Sequence, residues 1–148
     1  MRIEDEIKQK QFKSDLQRAL VNLHYTYLFL NRTHSERLKP YGISSQQFNI
    51  LRILRGQYPN PASIKLLTER MMDKMSNASR LVDKLLAKKL VERTSCPEDR
   101  RRVDVVITEK GLELIEKASN ELDGAAEKFK LTSEEAIELS RLLDKMRE

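Results

Sequence analysis

The sequence predicts a mainly α-helical fold that carries one small β-hairpin. Apolar residues recur at helical spacing along most of the chain, and two short segments near residue 100 have the composition or alternation of strands instead. Only four glycines and four prolines interrupt the 148 residues. This length is enough for a single domain over residues 1–148, with a core that needs neither a metal nor a disulfide.

Helix-capping sequences show where the predicted helices begin. Three sequences have the spacing of a capping box, Ser14 with Gln17, Ser44 with Gln47, and Thr132 with Glu135, and single caps are expected at Ser63, Asp73 and Thr108. The apolar spacing after these caps predicts helices over 14–38, 45–55 (ended by Gly56), 64–71, 74–88, 109–129 and 133–146. The first 13 residues are expected to add a short helix that packs across a dimer.

The first long helix has apolar residues on more than one side. Leu16, Leu20, Leu23 and Tyr27 follow one seam, while Leu28 lies on another side. A helix of this kind is buried on more than one side, and in so small a chain this predicts a partner subunit. We expect the N- and C-terminal helices, residues 14–38 and 109–148, to form a homodimer.

The helix predicted over residues 74–88 has two distinct arcs. Its apolar arc contains Ala78, Leu81, Val82, Leu85 and Leu86. The opposite arc mixes small polar residues with Arg and Lys, a composition that fits a DNA major groove and reaches base edges. Residues 74–103 carry nine basic and four acidic side chains, whereas residues 104–148 sum to −5. A basic segment inside a compact domain indicates a polyanionic partner.

Two strands are predicted after this helix, over residues 90–94 and 103–107, and Cys96 to Arg101 joins them into a hairpin with a basic tip. Two short helices followed by such a hairpin form a winged helix-turn-helix, which we expect over residues 44–108. The second helix of the pair would lie in the major groove, and an arginine of the hairpin would enter the minor groove.

The strongest match to a known family lies in the second strand and the helix that follows it. The matching positions are Asp99, Arg101, Val105, Ile107, Thr108 and Gly111. Ser79 to Leu85 and Leu90 to Arg93 fit the same pattern. On these residues, and on the order of helices from about residue 14 to 146, the chain resembles the MarR family of bacterial transcriptional regulators.

The resemblance implies roles for individual residues. Arg101 would contact the minor groove, Asp99 would orient it through an ion pair, and Arg100 and Arg102 would lie beside it. Ser76, Asn77, Ser79, Arg80 and Lys84 would lie on the groove-facing part of the recognition helix. The chain departs from the family at Lys89, where glycine is usual, and Lys89 would then adopt a left-handed conformation at a cost of roughly 1 kcal/mol.

The resemblance also implies a small aromatic or anionic effector that binds between the dimer helices and the DNA-binding lobe. The candidate lining residues are Tyr25, Phe29, His34 and Phe48, although such residues more often belong to a core.

Cys96 is expected to be a passive thiol rather than an oxidant sensor. His24 and His34 point about 80° apart and lie about 15 Å apart along one predicted helix, so they cannot share a metal within one chain.

The sequence therefore predicts a homodimeric, sequence-specific double-stranded DNA-binding regulator, a ligand-responsive repressor of a pseudo-palindromic operator. The alternative is a winged-helix protein-interaction module that does not bind DNA. An enzyme is not expected, because no nucleophile-base pair, Gly-rich phosphate loop or metal motif is evident, and neither a cofactor nor a metal is predicted. A single cysteine, the lack of an apolar run of 18 residues and the absence of an N-terminal secretory signal predict a cytoplasmic protein.

Overall fold

The computed structural model describes residues 1–95, 98–99 and 102–148. Its helices are α1 Ile3–Glu6, α2 Asp15–Leu38, α3 Ser45–Gln57, α4 Ile64–Arg70, α5 Ala78–Ala87, α6 Glu109–Ala126 and α7 Ser133–Lys145, with a 3-10 turn at Lys39–Tyr41. Its strands are β1 Ala62–Ser63, β2 Val91–Ser95 and β3 Val103–Ile107. The prediction of a mainly helical fold with a small β-hairpin is confirmed.

The three strands form one antiparallel sheet with β3 in the middle. β2 pairs with β3 from Val91 opposite Ile107 to Ser95 opposite Val103, which gives the predicted hairpin. β1 was not predicted. It pairs with the other edge of β3, with Ala62 opposite Val105, and two residues are too short to show an alternating pattern.

The core lies between α3, α4, α5, α6 and the sheet. Its fully buried side chains include Ile50, Leu51, Leu54, Leu67, Val82, Leu85, Val91, Val105 and Ile115. On α5, Ala78, Val82 and Leu85 are buried while Leu81 and Leu86 are half-buried, so the predicted apolar arc is the arc that faces the core. The opposite arc of α5 is thereby left on the surface.

Three predicted helix boundaries are wrong by two residues or more. α3 continues through Gly56 to Gln57, because Gly56 keeps a negative φ and does not act as a left-handed cap. α6 ends at Ala126 instead of Phe129. α5 begins at Ala78 instead of residue 74, because Asp73 caps a turn and not the helix.

Gly111, at the start of α6, is required by a close approach to the chain segment that precedes β2. A Cβ atom at this position would lie 2.2 Å from the Leu90 carbonyl oxygen and 2.7 Å from Ile107 Cγ1. Thr108 caps the same helix end, since its hydroxyl accepts from the Gly111 N–H at 3.1 Å and donates to the Lys89 carbonyl at 2.9 Å. These contacts fix α6 to the end of α5 and to the sheet.

Lys89 adopts the left-handed conformation that the family resemblance implied for this position, with φ of 58°. It follows the C-cap of α5, Lys88, and Leu90 returns to the core directly afterwards. The helix thus reverses into β2 at a position where glycine would carry no Cβ penalty.

Candidate nucleic-acid interface

The outer arc of α5 is the centre of the candidate interface. Ser79, Arg80 and Lys84 are exposed on it, as the sequence predicted. Nothing else in the described structure covers these side chains, because the helix turns its apolar arc inward. A ridge with one small hydroxyl and two long cations has the shape and charge to enter a DNA groove.

Asn77 and Ser76 lie at the entrance of α5 and not along its face. The Asn77 side chain accepts a hydrogen bond from the Arg80 N–H at 3.0 Å, which makes Asn77 the N-cap. The Ser76 hydroxyl donates to Asp73 Oδ2 at 2.9 Å in the preceding turn. Their predicted position within the recognition helix is therefore wrong, although both remain next to its N-terminal end.

The hairpin is fixed to α5 by an ion pair. Arg93 of β2 donates to the carboxylate of Asp83, which lies on the outer arc of α5. Both side chains are about half exposed. The pair joins the surfaces of the first wing strand and α5, while β2 itself is held in place by its pairing with β3 and by buried Val91.

Arg102, at the loop end of the hairpin, is held by Asp104, which was not among the predicted site residues. Its Nε donates to Asp104 Oδ1 at 2.8 Å, and Asp104 is buried, with 6% exposure. Val103, Val105 and Ile107 alternate with Asp104 and Val106, and this pattern alone would place Asp104 on the side opposite the core. A carboxylate two residues after an arginine is the only sequence signal of this pair, and it does not by itself indicate burial.

Asp99 is exposed, and its backbone carbonyl accepts from the Arg102 N–H at 3.0 Å. Arg100, Arg101 and Cys96 lie outside the described residues. The predicted minor-groove contact of Arg101, its ion pair with Asp99 and the state of the Cys96 thiol therefore stay predictions.

The four candidate effector residues do not meet in one cavity of the described structure. Tyr25, Phe29 and His34 are exposed on α2, whereas Phe48 is half-buried on α3 beneath the Arg52 guanidinium. The Tyr25 hydroxyl donates to Glu6 of α1 at 2.7 Å, and this hydrogen bond, aided by partial burial, raises the pKa of Tyr25. Tyr25 thus holds α1 against α2.

A cavity of about 410 Å³ lies at the junction of α2 and α6 instead. Its lining residues are Thr33, Glu36, Arg37, Pro40, Tyr41 and Glu121. Arg37 donates to the carboxylate of Glu121 across it. This cavity was not predicted, because its two helices are separated by some 80 residues in the chain.

Large apolar side chains are exposed on the two helices predicted to form a dimer. On α2 they are Leu16, Leu20, Leu23, Tyr27 and Leu28, and on α7 they are Ile137, Leu139, Leu142 and Met146. Clustered exposed apolar residues of this kind are typical of an interface. The short helix α1 packs on α2 of its own chain through buried Ile3 and an ion pair between Glu4 and Arg18 at 2.9 Å.

The described part of the chain contains no group of three or more His, Cys, Asp and Glu side chains that could hold a metal ion. Among its helices, none combines the length and the apolar character that a bilayer crossing requires.

Comparison with known proteins gives a consistent result. The MarR family model matches residues 43–103. The HTH-type transcriptional regulator MgrA of Staphylococcus aureus is 30% identical over 118 residues, which cover 79% of each chain. A cysteine-to-serine mutant of MarR from E. coli, solved in complex with operator DNA, is 25% identical and superposes with a TM-score of 0.75 over 93% of this chain and 99% of its own.

BpsR of Bordetella bronchiseptica, whose DNA binding is regulated by 6-hydroxynicotinic acid, shares the fold, with a TM-score of 0.75 and 23% identity over 85% of this chain and 90% of its own. The sequence match to MgrA spans most of both chains, and the family model covers α3 to the start of β3, where α5 and the hairpin lie. The chain therefore belongs to the MarR family of transcriptional regulators.

Proposed function

We propose that this protein is a ligand-responsive repressor that binds a pseudo-palindromic DNA operator as a homodimer. One observation carries the proposal: α5 presents Ser79, Arg80 and Lys84 to solvent, and the hairpin of β2 and β3 lies beside the same helix. The operator complex of the similar E. coli MarR supports the same mode of binding.

In this proposal, α5 lies in the major groove and supplies base contacts. Arg80 is suited to the paired acceptors of a guanine, and Ser79 and Lys84 reach neighbouring bases or phosphates. Asn77 and Ser76 present the N-terminal end of the helix to the groove. At the hairpin, Arg100, Arg101 and Arg102 are proposed to approach the minor groove, with Asp99 orienting Arg101.

The exposed apolar residues of α2 and α7 support a homodimer that buries them. We propose that residues 14–38 and 109–148 form this dimer and that residues 44–108 form the DNA-binding lobe. Two such lobes on one face of DNA would place the half-site centres about 34 Å, or 10 bp, apart. The operator is then an inverted repeat.

An effector would release DNA by favouring a dimer with the wrong half-site spacing. The junction of α2 and α6, where Arg37 and Tyr41 line a cavity, is a better candidate for the effector site than the four residues predicted from the sequence, because those four do not share a cavity.

A protein that acts in this way works by binding and not by catalysis. Its place of action is the cytoplasm, where the bacterial chromosome lies.

Selection of bound sequences from a random duplex library tests the proposal. We expect the purified protein to enrich an inverted repeat with half-sites about 10 bp apart, and the Arg101→Ala variant to enrich it weakly or not at all. Lys130→Ala removes an exposed cation between α6 and α7 and should leave the enrichment unchanged. If no sequence is enriched at low salt, even with refolded protein that is free of ligand, the alternative of a protein-interaction module is favoured.

A further inference from the structure

Two methionines are almost fully exposed in the loop between α4 and α5. Met72 has 86% of its surface exposed and Met75 has 93%, whereas the neighbouring Met71 has 1%. Both lie in residues 71–77, immediately before the helix that we place in the major groove. Apart from Met1, they are the two most exposed large apolar side chains of the described residues.

The loop that carries these methionines is held by specific hydrogen bonds. The Met72 N–H donates to Asn49 Oδ1 of α3 at 2.9 Å. Asp73 Oδ1 accepts from the Met75 N–H at 3.0 Å, and its other oxygen accepts from Ser76. The backbone of Met75 is thus fixed two residues before the N-cap Asn77, and its side chain extends from an ordered turn into solvent.

The charge around Met75 favours DNA as the partner. Residues 71–80 carry two basic side chains, Lys74 and Arg80, and one acidic side chain, Asp73, so an anionic surface would be drawn to this end of the helix. The major groove contains one exposed apolar group, the C5-methyl of thymine. Methionine is unbranched and flexible, which allows its side chain to adapt to a small apolar group at a fixed position.

We propose that Met75 packs against a thymine methyl group in the major groove and so specifies a T·A pair at one position of each half-site. This inference rests on the proposed function. The Met72 backbone is bonded to α3 and lies five residues before the N-cap of α5, so Met72 is not assigned this role.

The experiment uses the operator obtained by selection, with each thymine of one half-site replaced singly by deoxyuridine. This replacement removes one methyl group and leaves the base pairing intact. We expect one position at which binding by the wild-type protein weakens roughly fourfold, the effect of one buried methyl-sized group. A wild-type protein that is insensitive at every position overturns the inference.

Variants identify the residue that is responsible. Met75→Gln should bind the thymine and deoxyuridine duplexes equally well, while Met75→Leu should keep the discrimination. Met72→Gln is the matched control and should also keep it. If Met75→Gln still discriminates, or if Met72→Gln does not, the assignment to Met75 is wrong. Retention of sequence-specific binding in these cases would leave the proposed function intact, whereas failure to select any operator would overturn both.

Discussion

Asp83 of α5 and Arg93 of β2 form an ion pair that joins the recognition helix to the first strand of the wing. Since both side chains are about half exposed, the pair contributes little to the stability of the fold. Its main consequence concerns charge. Asp83 lies on the arc that we place against DNA, and Arg93 neutralises the one carboxylate on that arc of the described helix.

Replacing Asp83 by Asn should therefore tighten DNA binding. The change removes a negative charge near the phosphates and frees Arg93 to contact a phosphate, so we expect several-fold higher affinity. The slope of log K against log salt concentration should become more negative by about one. Fluorescence anisotropy over a range of salt concentrations measures both. The control is Glu138→Gln, which removes the partner of Arg141 on α7 and should leave binding unchanged. Weaker binding by Asp83→Asn would contradict the placement of this arc.

Gly111→Ala should destabilise the protein by about 3 kcal/mol or more, because the added Cβ would overlap the Leu90 carbonyl and Ile107. The Leu90 carbonyl has little freedom to move aside, since it accepts a hydrogen bond from the Thr108 N–H. Chemical denaturation at fixed protein concentration measures the effect. Gly124→Ala, in the same helix with nothing within 4 Å of the new Cβ, should instead stabilise by about 0.5–1 kcal/mol. Equal effects of the two substitutions would be inconsistent with the close approach at Gly111.

Asn77→Ala should reduce stability by about 1 kcal/mol, because it removes the N-cap of α5. Asn77→Ser should keep the cap. Comparing the two variants in operator binding separates the two possible roles of Asn77. If Asn77 contacts a base, both variants lose affinity; if it only caps the helix, Asn77→Ser retains the affinity. A fully stable Asn77→Ala protein would contradict the observed cap.

Ile137→Glu should convert the dimer to a monomer. Ile137 is 70% exposed on α7, so the substitution is tolerated by the single chain but places a charge in the proposed subunit interface. Sedimentation velocity measures the change in mass, and operator binding should fall with it, because each half-site would be bound alone. The control, Glu138→Gln, alters the adjacent residue without adding a charge. An Ile137→Glu protein that remains dimeric would place the interface elsewhere.

Local signals were sufficient to predict most of the fold. Ser44, Ser63, Thr108 and Thr132 all cap helices as predicted, and the apolar arc of α5 predicted which residues enter the core. These features depend on residues within a few positions of one another, which is why periodicity and capping rules reveal them.

Features that depend on distant parts of the chain were missed. Asp104 is buried where β1 pairs with the edge of β3, and Arg102 forms an ion pair with its carboxylate. An alternating sequence pattern indicates neither of these contacts. The error at Asp73 has a local cause instead: its carboxylate accepts hydrogen bonds from Met75 and Ser76 in a turn, so α5 begins later than predicted. The cavity between α2 and α6 likewise requires knowledge of how two remote helices pack.

The most direct test of the central claim compares Arg80→Ala with the wild-type protein on the selected operator and on a scrambled duplex of equal length. If Arg80 pairs with a guanine, its loss should cost about 1–3 kcal/mol on the operator, or about 5-fold to 150-fold in affinity. On the scrambled duplex, where Arg80 contributes only its charge, the loss should be much smaller. An unchanged ratio between the two affinities would show that α5 does not read the base sequence through Arg80.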